Sequence, residues 1–194
     1  MSPTEPTPCP QAQKAKELAL TTTVFDAEVV ERNAKEVLAA LGVAEDTHVS
    51  WKIGDSPYRI RHVDTQPAII GFFSTEGGMV TLSFSPLKNG QNTVQVCFNA
   101  LDGYEYEGLH AFQVTQTRNA NNDMPIATIL SGHTHQQSPF ELACYYHDEP
   151  PVMCIDGDYP QAQGFAEVRQ QLPKSDSLAL PLALLAQVAG MQQK

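Results

Sequence analysis

Gly132-His133-Thr134-His135 is the one place in the chain where side chains with catalytic chemistry converge at a useful spacing. It follows an apolar run, Ile126-Ala127-Thr128-Ile129-Leu130, of the kind that forms a strand. Residues two apart on extended backbone project to the same side, so the imidazoles of His133 and His135 could share one metal ion. Glu141, six residues past His135, offers a third, oxygen ligand. Three N/O ligands with an open position suit zinc or iron. A metal-dependent enzyme centred on this motif is therefore one expectation. The competing one is a polar loop leaving a strand, with both histidines solvated or hydrogen-bonded to nearby backbone.

The motif resembles the last motif of the calcineurin-like metallophosphoesterases, whose two histidines serve a two-metal centre. That resemblance implies an early Asp-x-His, a Gly-Asp and a Gly-Asn-His, which together hold the ions. The chain does contain Asp46-Thr47-His48 and Gly54-Asp55, but within ten residues of each other, too close to end two separate strand–helix units. Asp46-Thr47-His48 also precedes its strand, and no asparagine is followed by histidine. The spacing to Glu141 is similar to the cupin pattern of His-x-His with a following glutamate. Its gap is one or two residues too long, and no histidine follows Gly164 to make the second cupin motif. Both resemblances stop at a few residues.

Nucleophiles are scarce. Cys97 and Cys144 have no basic neighbour in sequence to lower their pKa, and there is no Gly-x-Ser-x-Gly elbow. Acid interleaved with tyrosine is more conspicuous. Asp102, Glu105 and Glu107 surround Tyr104 and Tyr106; Asp148, Glu149, Asp156 and Asp158 surround Tyr145, Tyr146 and Tyr159. Tyrosine adds contact area at low entropy cost and carboxylates orient a basic partner, so these residues are candidates for a protein–protein surface. The alternative is solvated turns with tyrosines packed on a sheet.

Charge is compatible with a cationic partner, a metal or simple solubility. Twelve Lys and Arg stand against 22 Asp and Glu, a formal net charge of −10. That field repels phosphate backbones and anionic lipid, and so points away from nucleic acid and membrane surfaces. The longest apolar stretch, Leu178 to Ala189, is shorter than the ~20 residues that span a bilayer. The first residues have neither the basic nor the apolar region of a secretory signal, which leads to the expectation of a cytoplasmic protein. Cysteine usage (Cys9, Cys97, Cys144, Cys154) contains no Cys-x-x-Cys pair, although Cys144 and Cys154 flank a turn that a disulfide could bridge.

These residues need elements to hold them. Four prolines between Pro3 and Pro10 predict a disordered arm over residues 1–10, followed by one domain over 11–194. A short helix is expected over 11–20 and a strong one over 27–41, capped by Asp26 and ended by Gly42. The period then changes to two. Strands are expected at 48–53, 58–63, 67–74, 78–85, 93–99, 110–117, 126–131, 140–146 and 151–155. A three-residue loop, Lys88-Asn89-Gly90, would pair Phe84 with Val94, Leu82 with Val96 and Val80 with Phe98, whereas a two-residue turn would put these apolar faces on opposite sides. Helices return over 161–171 and 178–190, the second burying Leu178, Leu182, Leu185 and Ala189. With no helices between the strands, the fold class is α+β: a mainly antiparallel sheet with an N-terminal helix and C-terminal helices packed on it. The reading that follows is an acidic intracellular interaction module for a basic partner protein, such as an immunity protein for a basic toxin or a chaperone for a secreted effector, needing no cofactor. The alternative is the metal-dependent enzyme, hydrolase or cupin-like.

Overall fold

The computed structural model describes residues 9–55, 67–86, 90–134 and 138–191. Helix α1 (Pro10–Ala19) is followed by α2 (Ala27–Leu41). Eight strands follow: β1 (Ser50–Asp55), β2 (Pro67–Ser74), β3 (Gly78–Pro86), β4 (Gln91–Ala100), β5 (Leu109–Asn119), β6 (Pro125–Thr134), β7 (Pro139–Tyr145) and β8 (Val152–Gly157). The chain closes its helical layer with α3 (Gln163–Gln171), a 3-10 turn at Leu172–Lys174, and α4 (Ala179–Val188). Every neighbouring pair of strands is antiparallel and the order in the sheet is the order in the chain, β1 to β8. The α+β arrangement expected from the sequence is therefore present. Residues 1–8, the expected strand at 58–63, Lys88-Asn89 and His135 lie outside the described residues.

Local chemistry accounts for the helix ends. The Asp26 carboxylate accepts from the amides of Glu28 and Val29 at 3.1 and 3.3 Å, and Gly42 takes the left-handed conformation, φ 69°, that ends α2. Pro10 opens α1, where its missing amide is harmless. The first turn of α4 is held by Ser177, whose hydroxyl accepts from the Ala179 amide at 3.2 Å.

The β3–β4 register is the one expected: Val80 faces Phe98, Leu82 faces Val96 and Phe84 faces Val94. Gly90, at φ 76°, supplies the left-handed residue of that connection. The apolar row continues across the sheet through Val114, Leu130 and Leu142, each on the partner strand of the last. This face packs into one core with Val37 and Leu41 of α2, Phe165 of α3, and Leu182 and Leu185 of α4. Apolar residues of the opposite face (Ala68, Ile70, Ala127, Ala143) are buried but lie outside that core. The buried stripe expected on α4 is observed, and Leu184, Ala186 and Val188 are buried with it, so most of its circumference is covered.

Strand bounds differ by a few residues. The first strand starts at Ser50, not at 48, and β4, β5 and β6 run longer than their apolar cores. Polar residues extend them because cross-strand hydrogen bonding continues past the last buried side chain.

Two features were invisible in the linear pattern. Gly71 sits mid-strand directly opposite Trp51, and a β-carbon there would lie 2.7 Å from the indole ring. The glycine is a slot for the tryptophan. Arg118, with 4% of its side chain exposed, joins β5 to α2. Its guanidinium donates to Asn33 Oδ1 at 2.7 Å, Gln116 Oε1 at 2.7 Å and the Glu36 carboxylate at 3.1 Å. Asp123, held at φ 57°, stands 3.6 Å away and also binds Arg32 at 3.0 Å. Gln116 in turn donates to Thr128 and to the Asp176 carbonyl.

Gly71→Ala should cost about 1–3 kcal/mol through overpacking and shift the emission of Trp51, the single tryptophan, in a denaturant titration followed by fluorescence. Arg118→Ala should cost about 3–5 kcal/mol, because it strands the buried amides of Asn33 and Gln116 and uncouples two carboxylates. Arg118→Lys should recover only a minor part of that loss, since one ammonium cannot reproduce the planar fork.

Candidate functional site

Pairing in strict chain order brings certain connections to the same end of the sheet. The β4–β5 loop, the β6–β7 connection and the C-terminal end of β8 share one end; the β7–β8 loop lies at the other. The second acidic group named from the sequence is therefore divided. Asp156 and Asp158 stand with Asp102, Glu105 and Glu107 at the first end, whereas Asp148 and Glu149 lie at the opposite one, about 20 Å away along the six residues of β8. All seven carboxylate residues are exposed. His147 approaches Asp148 at 3.4 Å.

The tyrosines of these groups are tied to the fold. The Tyr104 hydroxyl donates to the Val188 carbonyl at 2.9 Å and its ring meets Phe98 edge-on, which fastens the β4–β5 loop to the end of α4. Tyr106 is half-buried against the core. Burial raises the pKa of both, with the charges of Glu76 and Glu107 respectively adding to it. Tyr159 is buried, donates to the Phe165 carbonyl at 2.8 Å and stacks edge-on against Phe140.

On the face of the sheet away from the helices, a groove of about 390 Å³ opens over β4 to β8. Pairing sets its floor as a single row: Cys97 opposite Gln113, Gln113 opposite Ser131, Ser131 opposite Glu141, Glu141 opposite Asp156. His133 sits two residues from Ser131 on the same face, beside Pro139, and is a diagonal neighbour of Glu141. Two members of the expected metal set, His133 and Glu141, thus line one groove; the third, His135, lies outside the described residues. Among the described residues no three His, Cys, Asp or Glu side chains are close enough together to hold an ion. His147 is at the far end of β7 from His133.

Cys97 brings no nucleophile to the groove. Burial pushes its thiol up to about 11, so it is protonated at neutral pH. Cys144 and Cys154 cannot bridge: Cys144 opposes Met153 and faces the core, while Cys154 opposes Ala143 and points to the other face. All four cysteines are free.

The clearest electrostatic feature is one of distribution. Residues 89–168 carry ten carboxylates and a single Lys or Arg, Arg118, which the fold buries. The strands from β4 to β8 therefore present acid without exposed Lys or Arg. This signal was available in the sequence as a gap in basic residues, but the burial of Arg118 was not.

Fold and site together define an α+β protein with a strictly sequential antiparallel sheet, a helical layer on one face and an acidic groove and edge on the other side. No family model matches the chain, and neither a curated protein nor a solved structure matches it. Among the described residues no helix is long and apolar enough to cross a membrane.

The thiol environments predict an order of reaction. With iodoacetamide at pH 8, exposed Cys154 should be alkylated well before Cys97, whose raised pKa slows it, while buried Cys144 should react only once denaturant is added; intact mass and peptide mapping read this directly.

Proposed function

We propose that this protein is an acidic protein–protein interaction module whose partner is basic. The observation that carries the reading is the run of ten carboxylates over 89–168 against one buried arginine, seven of them exposed at the two ends of the sheet. Exposed carboxylates on a fixed scaffold raise the encounter rate with a cationic protein and disfavour acidic competitors. Asp102, Glu105, Glu107, Asp156 and Asp158 form the larger contact group, and Asp148 with Glu149 the smaller one. Tyr104 and Tyr106 hold the first loop in shape beneath its acids. Neutralisation of a basic toxin, or escort of a basic effector, are activities this surface can perform without any bond-making step. A cytoplasmic setting agrees with four unpaired cysteines.

The reading predicts a salt-sensitive complex. Immobilised protein should retain a basic partner from the lysate of its own source at 50 mM salt and release it as salt rises. A variant combining Asp102→Asn, Glu107→Gln, Asp156→Asn and Asp158→Asn should weaken that retention by roughly 10- to 100-fold, since exposed charge pairs contribute about 0.5 kcal/mol each and four of them sum to about 2 kcal/mol. Retention indifferent to both salt and the variant would sink the proposal.

A further inference from the structure

We infer that β8 is the docking edge of this surface, and that the partner contributes an extended segment that adds to the sheet as a ninth strand, its side chains alternating basic and apolar. The inference rests on the reading of a basic partner and specifies how that partner is held. β8 is the last strand of the sheet, and five of its six residues are exposed. The Asp158 amide bonds to the Pro139 carbonyl, so by the alternation of antiparallel pairing Val152, Cys154 and Asp156 turn their backbone groups toward β7. Met153 and Ile155 then turn theirs outward. Among the described residues no backbone partner meets them. An open edge of this kind is a template for another strand.

The chemistry around the edge selects its occupant. Asp156 projects on the groove face and opposes Glu141 across β7, so two carboxylates sit side by side at the rim. Like charges directly opposite are destabilising in a sheet, and a cation between them relieves the repulsion. Asp158 follows at the same end; Asp148 and Glu149 precede β8 at the other. On the core-side face of the edge the exposed apolar residue is Ile155, 39% accessible, with Met153 beside it. An added strand whose residues alternate Lys or Arg with Val or Ile places cations over Asp156 and the groove and apolar side chains beside Ile155. A second copy of this chain fits poorly, because β8 against β8 brings the same carboxylates together across the seam. Those acids guard the edge against self-association while leaving it open to a basic strand.

The test uses the full chain and a fluorescein-labelled Lys-Val-Lys-Val-Lys-Val-Lys peptide, compared with the same peptide N-methylated at every amide and with a Ser-Val analogue. N-methylation keeps every charge and removes every backbone donor. Fluorescence anisotropy at 50 mM salt should show binding of the first peptide and a loss of at least about tenfold for the methylated one. Ile155→Pro, which deletes an outward-facing donor on an edge strand, should cause a similar loss with circular dichroism and melting temperature preserved. Equal binding of both lysine peptides overturns strand addition while leaving the basic-partner reading intact. Binding of neither, beyond the Ser-Val analogue, overturns both. Sedimentation of the protein as a dimer that Ile155→Pro dissociates assigns the edge to a second copy and overturns the inference.

Discussion

Helix α4 is apolar at every position except Gln187, and a helix of that composition has to be shielded from water over most of its surface. That requirement shapes the rest of the molecule. The apolar row from Leu82 through Val96, Val114 and Leu130 to Leu142 supplies one side of the shield. The α2 residues Val37 and Leu41 and the α3 residues Phe165 and Val168 supply the others. Because side chains alternate along the strands, committing one face to α4 leaves much of the other face to polar residues, with Ala68, Ile70, Ala127 and Ala143 among its apolar members. The groove with Gln113, Ser131, Glu141 and Asp156 lies on that other face, and β8 is an edge because the strands pair in chain order.

How much of this was legible depended on distance along the chain. The 27–41 helix was readable because its cap, stripe and terminal glycine are local. The β3–β4 register was readable because two alternating runs joined by a short loop leave one arrangement that buries both apolar faces. The Arg118 cluster was not readable: Asn33 and Glu36 lie more than 80 residues away from their partner in sequence. The slot that Gly71 makes for Trp51 was hidden for the same reason, since a mid-strand glycine has meaning only beside the residue it faces.

The candidate site shows the same limit in reverse. Asp148, Glu149, Asp156 and Asp158 are close in sequence and read as one cluster, yet a strand of nearly its full length separates them. Asp102, Glu107 and Asp156 are far apart in sequence and share one end of the sheet. The sequence leaves Tyr104 and Tyr159 open to two readings, contact surface or packing on the sheet, and in the structure their hydroxyls are fixed to the Val188 and Phe165 carbonyls. Of the histidine motif, His133 lies on the same face of the sheet as Glu141.

Strand pairing in chain order has an effect on how the molecule comes into being. Each hairpin can close as it leaves the ribosome, because every partner is the nearest strand already made, and such short-range contacts favour quick closure. The helix that these strands enclose is translated after all of them. Although α1 and α2 are made first, the part of the apolar side that α3 and α4 cover stays exposed until they are translated, which is the interval in which a growing chain of this design is most prone to stick to its neighbours.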